Sequence, residues 1–174
     1  MTFSKAVIPI ISLGESAFLR ALAEEDVTSE YVDGLNDPEV YRFLIGPSKQ
    51  RQTIELVRNF VRDNQDDPHA ILFGLFIDNT LRGTSRLHDI SNESAYLGIA
   101  LFDRSIWGQG WATRMIRKIV RFAIGSLGVK KVLAGIEKEN IASQGAFNKA
   151  GFRPNQLLSH DLKVVGVQIW ECIK

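Results

Sequence analysis

The sequence predicts a single domain of mixed α/β (α+β) class, and two observations carry that expectation. Short apolar runs in some segments and apolar residues at helical spacing in others follow in the order strand, helices, antiparallel strands, helix, strand, helix, strands. The 174 residues are enough for one core and short for two, and no repeat, low-complexity tract or linker divides residues 1–174. A composition of 45% hydrophobic and 24% charged residues with net charge +1 fits a soluble globular protein without the strongly basic surface of a nucleic-acid binder. No nucleic-acid partner is expected.

Residues 1–14 read as an extra N-terminal segment. Its run AVIPIISL, Ala6 to Leu13, follows one cation, Lys5, but is short, contains Pro9 and lacks a cleavage site, so it does not read as a signal peptide. No apolar run approaches the ~20 residues that span a bilayer, so no membrane partner is expected. The lone cysteine, Cys172, cannot form an intramolecular disulfide, suits a reducing cytoplasm and reads as a core-facing strand residue.

Phe18 to Leu22 begins the domain as a strand, and the acidic Glu24 to Asp26 then marks a helix start. Asn36-Asp37-Pro38 breaks the helical pattern and restarts it. From Lys49 to Asn64, Ile54, Val57, Phe60 and Val61 recur at helical spacing, ending near Asp66-Asp67-Pro68. Ala70 to Ile77, the turn Asp78-Asn79-Thr80 and Leu81 to Ile90 form an antiparallel hairpin, followed by a strand from Ala95 to Phe102.

The next helix runs to about Leu127, with Ala112, Met115, Ile116, Ile119, Ala123 and Leu127 on one face, and Gly128 caps it. Lys131 to Ile136 is a short buried strand. Ile141 to Ala150 is a helix with Ala146, Phe147 and Ala150 inward, stopped by Gly151. Strands around Phe152 to Leu158 and Val164 to Ile173 close the chain, and the last strands are placed to pair across a possible homodimer.

Gly108 and Gly110 stand at the start of the long helix, and three phosphate-binding modes compete for them. A nucleoside-triphosphate loop needs Lys-Ser/Thr after the last glycine, where Trp111 stands. A dinucleotide fingerprint needs a small residue at Thr113 and an acid ~20 positions on, where Lys130 and Lys131 stand. General anion binding remains: amides of residues 108–113 directed at a pyrophosphate from a helix N-terminus. A bare G-x-G also forms a tight turn with nothing bound, and Asn140 at the head of ENIASQGAFNKAGF is in its own right a good N-cap.

The two motifs in this order resemble a family. WGQGWATRMIRKIVRFAIGSLGVKKVLAGIEKENIASQGAFNKAGF resembles the acyl-CoA-binding half of the GNAT superfamily of N-acetyltransferases, in the branch that includes enzymes acetylating N-terminal amines of ribosomal proteins. LRALAEEDVTSEYVDGLNDPEVYRFL is similar to the same branch. The resemblance implies a mostly antiparallel mixed sheet splayed between its fourth and fifth strands, with acetyl-CoA as cosubstrate, no metal, and residues 95–152 as the cosubstrate-binding core. It implies that Trp107, Gly108, Gln109, Gly110, Trp111, Ala112 and Thr113 surround the pyrophosphate. By the same resemblance Ile99, Ala100, Leu101 and Phe102 pair with the pantetheine arm, Asn140 hydrogen-bonds the cosubstrate, and Ser143 lies near its sulfur. The chain departs from the family pattern at Ser105, at Arg114 and at Asn148-Lys149.

Acetyl transfer to an amine needs proximity, a polarised thioester carbonyl, a base for the amine and a proton for the thiolate. Backbone N–H groups around Leu101 or Phe102 suit the carbonyl, and Ser143 is the candidate proton donor. Among His88, Asp89 and Glu93, His88 is the first candidate base, because imidazole titrates near neutrality; a packing role is the competing account. His69 reads as structural and His160 as a turn residue that also suits the rim of an acceptor site. Tyr41, Phe43, Tyr96 and Trp107 suit either a cleft wall or the core, and the Arg114, Arg117, Lys118, Arg121 face suits the ribose phosphate at its first turn and solvent beyond. The expected function is a cytoplasmic N-acetyltransferase acting by direct transfer to a primary amine: a protein N-terminus, an amino sugar or a small amine. The alternative is a non-catalytic acyl-CoA sensor or interaction module.

Overall fold

The computed structural model describes residues 8–14, 16–44, 50–161 and 166–173. Eight strands form one sheet in the order β1-β2-β3-β4-β5-β6-β8-β7. They are β1 Ile11–Gly14, β2 Ala17–Ala21, β3 Ile71–Ile77, β4 Thr80–His88, β5 Ser94–Ala100, β6 Lys131–Glu137, β7 Arg153–Pro154 and β8 Val167–Ile173. The helices are α1 Ser29–Asn36, α2 Pro38–Tyr41, α3 Ile54–Asp66, α4 Trp111–Gly125, α5 Ile141–Lys149 and α6 Gln156–Asp161. This is the mixed α/β fold expected from the sequence. The described residues fall into two compact units, one within Met1–Arg86 and Ile99–Gln109, the other within Leu87–Gly98 and Gly110–Lys174.

In the first unit β1 pairs antiparallel with β2, Ile11 opposite Leu19, so the apolar run before Gly14 supplies an edge strand that the sequence reading had not assigned; Ala6 and Val7 lie outside the described residues. β2 pairs antiparallel with β3 from Ala17↔Ile77 to Ala21↔Phe73. The acidic triplet makes only a 3-10 turn, Glu24–Asp26, because the Asp26 carboxylate accepts the Ala23 N–H at 2.8 Å and binds Arg20 at 2.6 Å. The helix proper starts at Ser29, where Thr28 accepts the Tyr31 N–H. Asp37 ends that helix and caps the next, with Pro38 at its first position, as the sequence predicted.

Helix α3 begins after Thr53, whose side chain accepts the Leu56 N–H; the expected start, Lys49, lies outside the described residues. Its inner face is Val57, Val61 and Asn64, while Ile54 and Phe60 are exposed. Asn64 takes the inner position because its amide donates to the Phe60 carbonyl at 2.7 Å and its oxygen accepts Arg86 Nε at 2.6 Å, which satisfies a buried polar group. Leu22, Val27, Tyr31, Val32, Leu35, Val57, Val61, Leu72, Phe76 and Phe102 form this unit's core. The Asp78-Asn79 turn between β3 and β4 has both residues at positive φ, 49° and 59°, the two-residue hairpin geometry that matches strand twist.

In the second unit β5 and β6 pair in parallel from Ser94↔Lys131 to Tyr96↔Leu133, and no further register partners follow, although β6 runs to Glu137. On its other edge β6 stays paired with β8 along its whole length, Lys131↔Ile173 to Glu137↔Val167. The resemblance implies a splay between the fourth and fifth strands; here the short parallel ladder joins the fifth and sixth, because β1 adds an edge strand. Helix α4 buries Met115, Ile116, Ile119 and Ala123 as its spacing predicts, with Trp111 and Val120, and stops at Gly125, two residues before Leu127. Gly128 and Gly151 take positive φ as helix stops.

The strand expected over Phe152 to Leu158 is only β7, Arg153–Pro154, followed by α6. Pro154 has no N–H to extend the ladder, and Asn155 opens a helix instead, its side chain accepting the Leu158 N–H at 3.0 Å. His160 therefore sits on a helix, not in a turn. The last strand starts at Val167; Val164 and Val165 lie outside the described residues. Among the described residues no helix is long and apolar enough to cross a membrane.

Candidate active site

Gly108 and Gly110 adopt φ of +74° and +82°, a left-handed conformation that a side-chain-bearing residue enters only under strain. A Cβ built at either meets no atom within 4 Å, so neither glycine is required by packing against its own chain. Gly110 is the N-cap of the 15-residue α4 and offers no side chain to the amides. The first bond of the helix runs from Arg114 N–H to the Gly110 carbonyl at 3.0 Å, so helix geometry gives the Ala112 and Thr113 amides no intrahelical acceptor. Backbone dipole and amide direction favour an anion there. Gln109 folds its amide back onto the Ser105 carbonyl at 2.8 Å.

Helix α5 is started by Asn140, whose side chain accepts the Ser143 N–H at 3.0 Å. Ser143 is half-buried in the first turn. Thr113 Oγ1 donates to the Ala146 carbonyl at 3.5 Å, which ties the first turn of α4 to the α5 turn that follows Ser143. The structure therefore brings the first turn of α4 against α5, the helix that Asn140 caps. Arg117 also reaches the Lys149 carbonyl, while Arg114 lies over the Trp111 ring at 4.6 Å.

The Ile99–Phe102 segment belongs to the first unit. The strand ends at Ala100, two residues before the expected Phe102, because the Trp107 indole donates to the Leu101 carbonyl at 2.9 Å and Asp103 N–H turns to the Arg82 carbonyl at 3.2 Å. Phe102 is buried against Tyr31, ring centroids 4.6 Å apart. Asp103 also binds the Arg82 guanidinium and accepts the Ser105 N–H at 2.8 Å, which starts the short turn leading to Trp107. Burial pushes the Asp103 carboxyl up, but the Ser105 bonds and the Arg82 charge outweigh it and hold it below the usual carboxylate range. The sequence reading passed over Arg82 and Asp103; the D-x-S spacing before the glycines was the available capping signal.

His88 ends β4. Its Nδ1 lies 2.9 Å from Asp89 Oδ2, and its ring stacks on Tyr96 at 5.7 Å. Asp89 has φ +50°, a turn conformation that Asp tolerates. Of the expected trio, Glu93 instead pairs with Lys130 at 2.6 Å on the surface. His69 is exposed beside Asp67, which accepts its N–H at 2.8 Å. His160 lines a hollow of about 250 Å³ with Lys138, Ser159 and Gln168. Tyr41 and Phe43 are half-buried, with Arg42 over the Phe43 ring at 4.5 Å. Cys172 is half-buried and its thiol is pushed up by burial, in keeping with a packed strand residue.

A left-handed glycine turn opening an amide-rich helix, a short parallel ladder and a capped helix are features that the resemblance to acyltransferases implies. Residues 17–153 match the acetyltransferase (GNAT) domain family. The chain belongs to that family of N-acetyltransferases. It is 28% identical over 154 residues to the uncharacterized N-acetyltransferase p20 of Bacillus licheniformis, covering 83% of this chain and 82% of that one. RimL, a ribosomal L7/L12 alpha-N-protein acetyltransferase solved with coenzyme A, shares the fold with a TM-score of 0.81 at 19% identity, over 95% of this chain and 98% of that one. A spermidine N-acetyltransferase from Vibrio cholerae, solved with CoA and spermine, does so with a TM-score of 0.76 at 17% identity, over 92% and 96%.

Proposed function

We propose that the chain, acting as one acyltransferase domain, binds acetyl-CoA through the Gly108–Thr113 turn and transfers the acetyl group directly to a primary amine in a ternary complex. The observation that carries this reading is the glycine pair: both residues are left-handed, both open in front, and both precede the N-terminus of a long helix. That arrangement suits a pyrophosphate, whose charge the helix amides and dipole favour. Trp107 precedes the turn, Gln109 lies within it, and Trp111, Ala112 and Thr113 supply its helical amides. Ile99 to Phe102 pair their backbone with the pantetheine arm, as an added strand would.

Proximity within the complex supplies much of the acceleration. Backbone N–H groups at Leu101 or Phe102 hold the thioester oxygen as charge develops on it. Ser143, whose hydroxyl stands in the first turn of α5, returns a proton to the departing sulfur, and Asn140 orients that turn. His88 is assigned the amine proton, with Asp89 holding its Nδ1 side. The acceptor is a primary amine; a protein N-terminus and a polyamine, the acceptors named for RimL and the Vibrio cholerae enzyme, head the panel to be tested.

Calorimetric titration with acetyl-CoA, with NADH and ATP as controls, tests the cosubstrate, and thiol release across an amine panel tests transfer. Selective acetyl-CoA binding with thiol release is expected. Binding without thiol release for any amine would favour a sensor, and no binding would remove both readings.

A further inference from the structure

The chain leaving β5 is restrained from several sides, all within the first unit. Gly83 of β4 presents bare backbone to it: a Cβ there would stand 2.6 Å from Leu101 Cδ2 and 3.0 Å from the Ala100 carbonyl oxygen. Gly34 of α1 does the same at the next residue, where a Cβ would stand 2.8 Å from Phe102 Cδ2 and 3.0 Å from its carbonyl oxygen. The Tyr31 ring covers Phe102, and Arg82 binds Asp103 by backbone and side chain. These contacts set the course of Ala100 to Asp103.

Trp107 differs from the other restraints. Its indole N–H reaches back to the Leu101 carbonyl at 2.9 Å, closing a short loop, although the side chain is 40% exposed. Its own next residue is Gly108, where the left-handed turn begins. Arg104 lies over the indole at 5.6 Å and is itself held by Asp37 at 3.4 Å, so the ring is braced on its outer face. One side chain thus joins the end of the strand to the start of the glycine turn.

We propose that Trp107 is a positioning residue: by holding the Leu101 carbonyl, its indole N–H fixes the Ile99–Phe102 segment relative to the Gly108 turn, so that the pantetheine arm and the pyrophosphate of one acetyl-CoA are bound together. This role rests on the cosubstrate reading above. A ligand with two separately held halves binds tightly only when the spacing of its two sites is set beforehand, since otherwise the ordering cost is charged to binding. The hydrogen bond therefore contributes to the affinity of the linked ligand and not to that of its nucleotide half.

The test compares acetyl-CoA with 3′-phospho-ADP, the nucleotide half without its pantetheine arm, by calorimetry on the full chain. Trp107→Phe keeps an aromatic ring and removes the donor. It is expected to weaken acetyl-CoA about 5- to 10-fold, the contribution of one neutral hydrogen bond, while 3′-phospho-ADP stays within about twofold. Gly83→Ala, which presses on Ala100 and Leu101 without touching the turn, is expected to give the same split. Equal weakening of both ligands, or of neither, would overturn the role. Wild-type protein that binds neither ligand would remove the cosubstrate reading itself, whereas a wild type that binds both leaves the variants to judge Trp107 alone.

Discussion

Gly110 offers a perturbation whose cost to the fold and effect on the site can be separated. Its φ of +82° and ψ of 5° place it in the left-handed region, and a Cβ there meets nothing within 4 Å. Substitution therefore costs the fold only backbone strain, with no clash: roughly 1–2 kcal/mol for Ala and less for Asn, whose short polar side chain tolerates this conformation. For a domain of this size about 1 kcal/mol lowers Tm by about 2–4 °C, so Gly110→Ala should lose about 2–8 °C and Gly110→Asn little.

If, as proposed, a pyrophosphate approaches the α4 amides past Gly110, a side chain there stands in its way. An Asn side chain there should displace at least one charge-assisted amide bond, about 1.5–3 kcal/mol, and weaken acetyl-CoA roughly 10- to 100-fold. Thermal melts and calorimetric titration of both variants give the two quantities independently. The reasoning fails if Gly110→Asn melts normally and binds acetyl-CoA with wild-type affinity. It also fails if affinity falls only in step with Tm across the pair, for then the glycine serves its turn and nothing else.

Three further outcomes are expected. Asn140→Ala removes the acceptor of the Ser143 N–H and should cost about 1 kcal/mol; Asn140→Asp should restore Tm but leave acetyl-CoA weakened if the lost amide donor touches the cosubstrate, and restored affinity would make Asn140 a cap only. Ser143→Ala should lower turnover roughly 10- to 100-fold with acetyl-CoA affinity and Tm retained, and equal losses in turnover and affinity would make Ser143 a binding residue. The third concerns Tyr31: burial pushes its phenol up to about 12, with its Thr84 hydrogen bond acting the other way. The folded chain then holds this proton more tightly than the unfolded chain, so stability is intact below about pH 10 and falls by up to about 3 kcal/mol as pH rises toward 12. Denaturant melts of wild type and Tyr31→Phe across this window check it: the alkaline loss should shrink by that amount in the variant, and an unchanged loss would refute it.

The elements legible in the sequence are those whose signal is local. Helix α4 follows from the spacing of Met115, Ile116, Ile119 and Ala123, the β3–β4 hairpin from Asp78-Asn79, and the restart of the helix at Pro38 from its Asp37 cap. The misread elements are decided by partners elsewhere in the chain. β1 exists because Ile11 finds Leu19. The inner face of α3 rotates onto Asn64 because Arg86, 22 residues away, satisfies its oxygen. The end of β7 is the exception, since Pro154-Asn155 carried a strand stop and a helix cap that could have been read from the sequence.

The candidate site divides along the same line. The glycine turn and the Asn140 cap are backbone features whose residue types announce them, and both appear where their motifs stand. Nothing in the motif announces that Trp107 turns its N–H back to Leu101, or that Gly34 and Gly83 leave room for the chain between them. Those glycines sit inside a helix and a strand, where propensity alone disfavours them, and only close approach of another backbone accounts for their places. Replacing either by Ala should therefore disturb the Ala100–Phe102 backbone while leaving the Gly108–Thr113 turn intact, a division of effects that residue spacing could not have foretold.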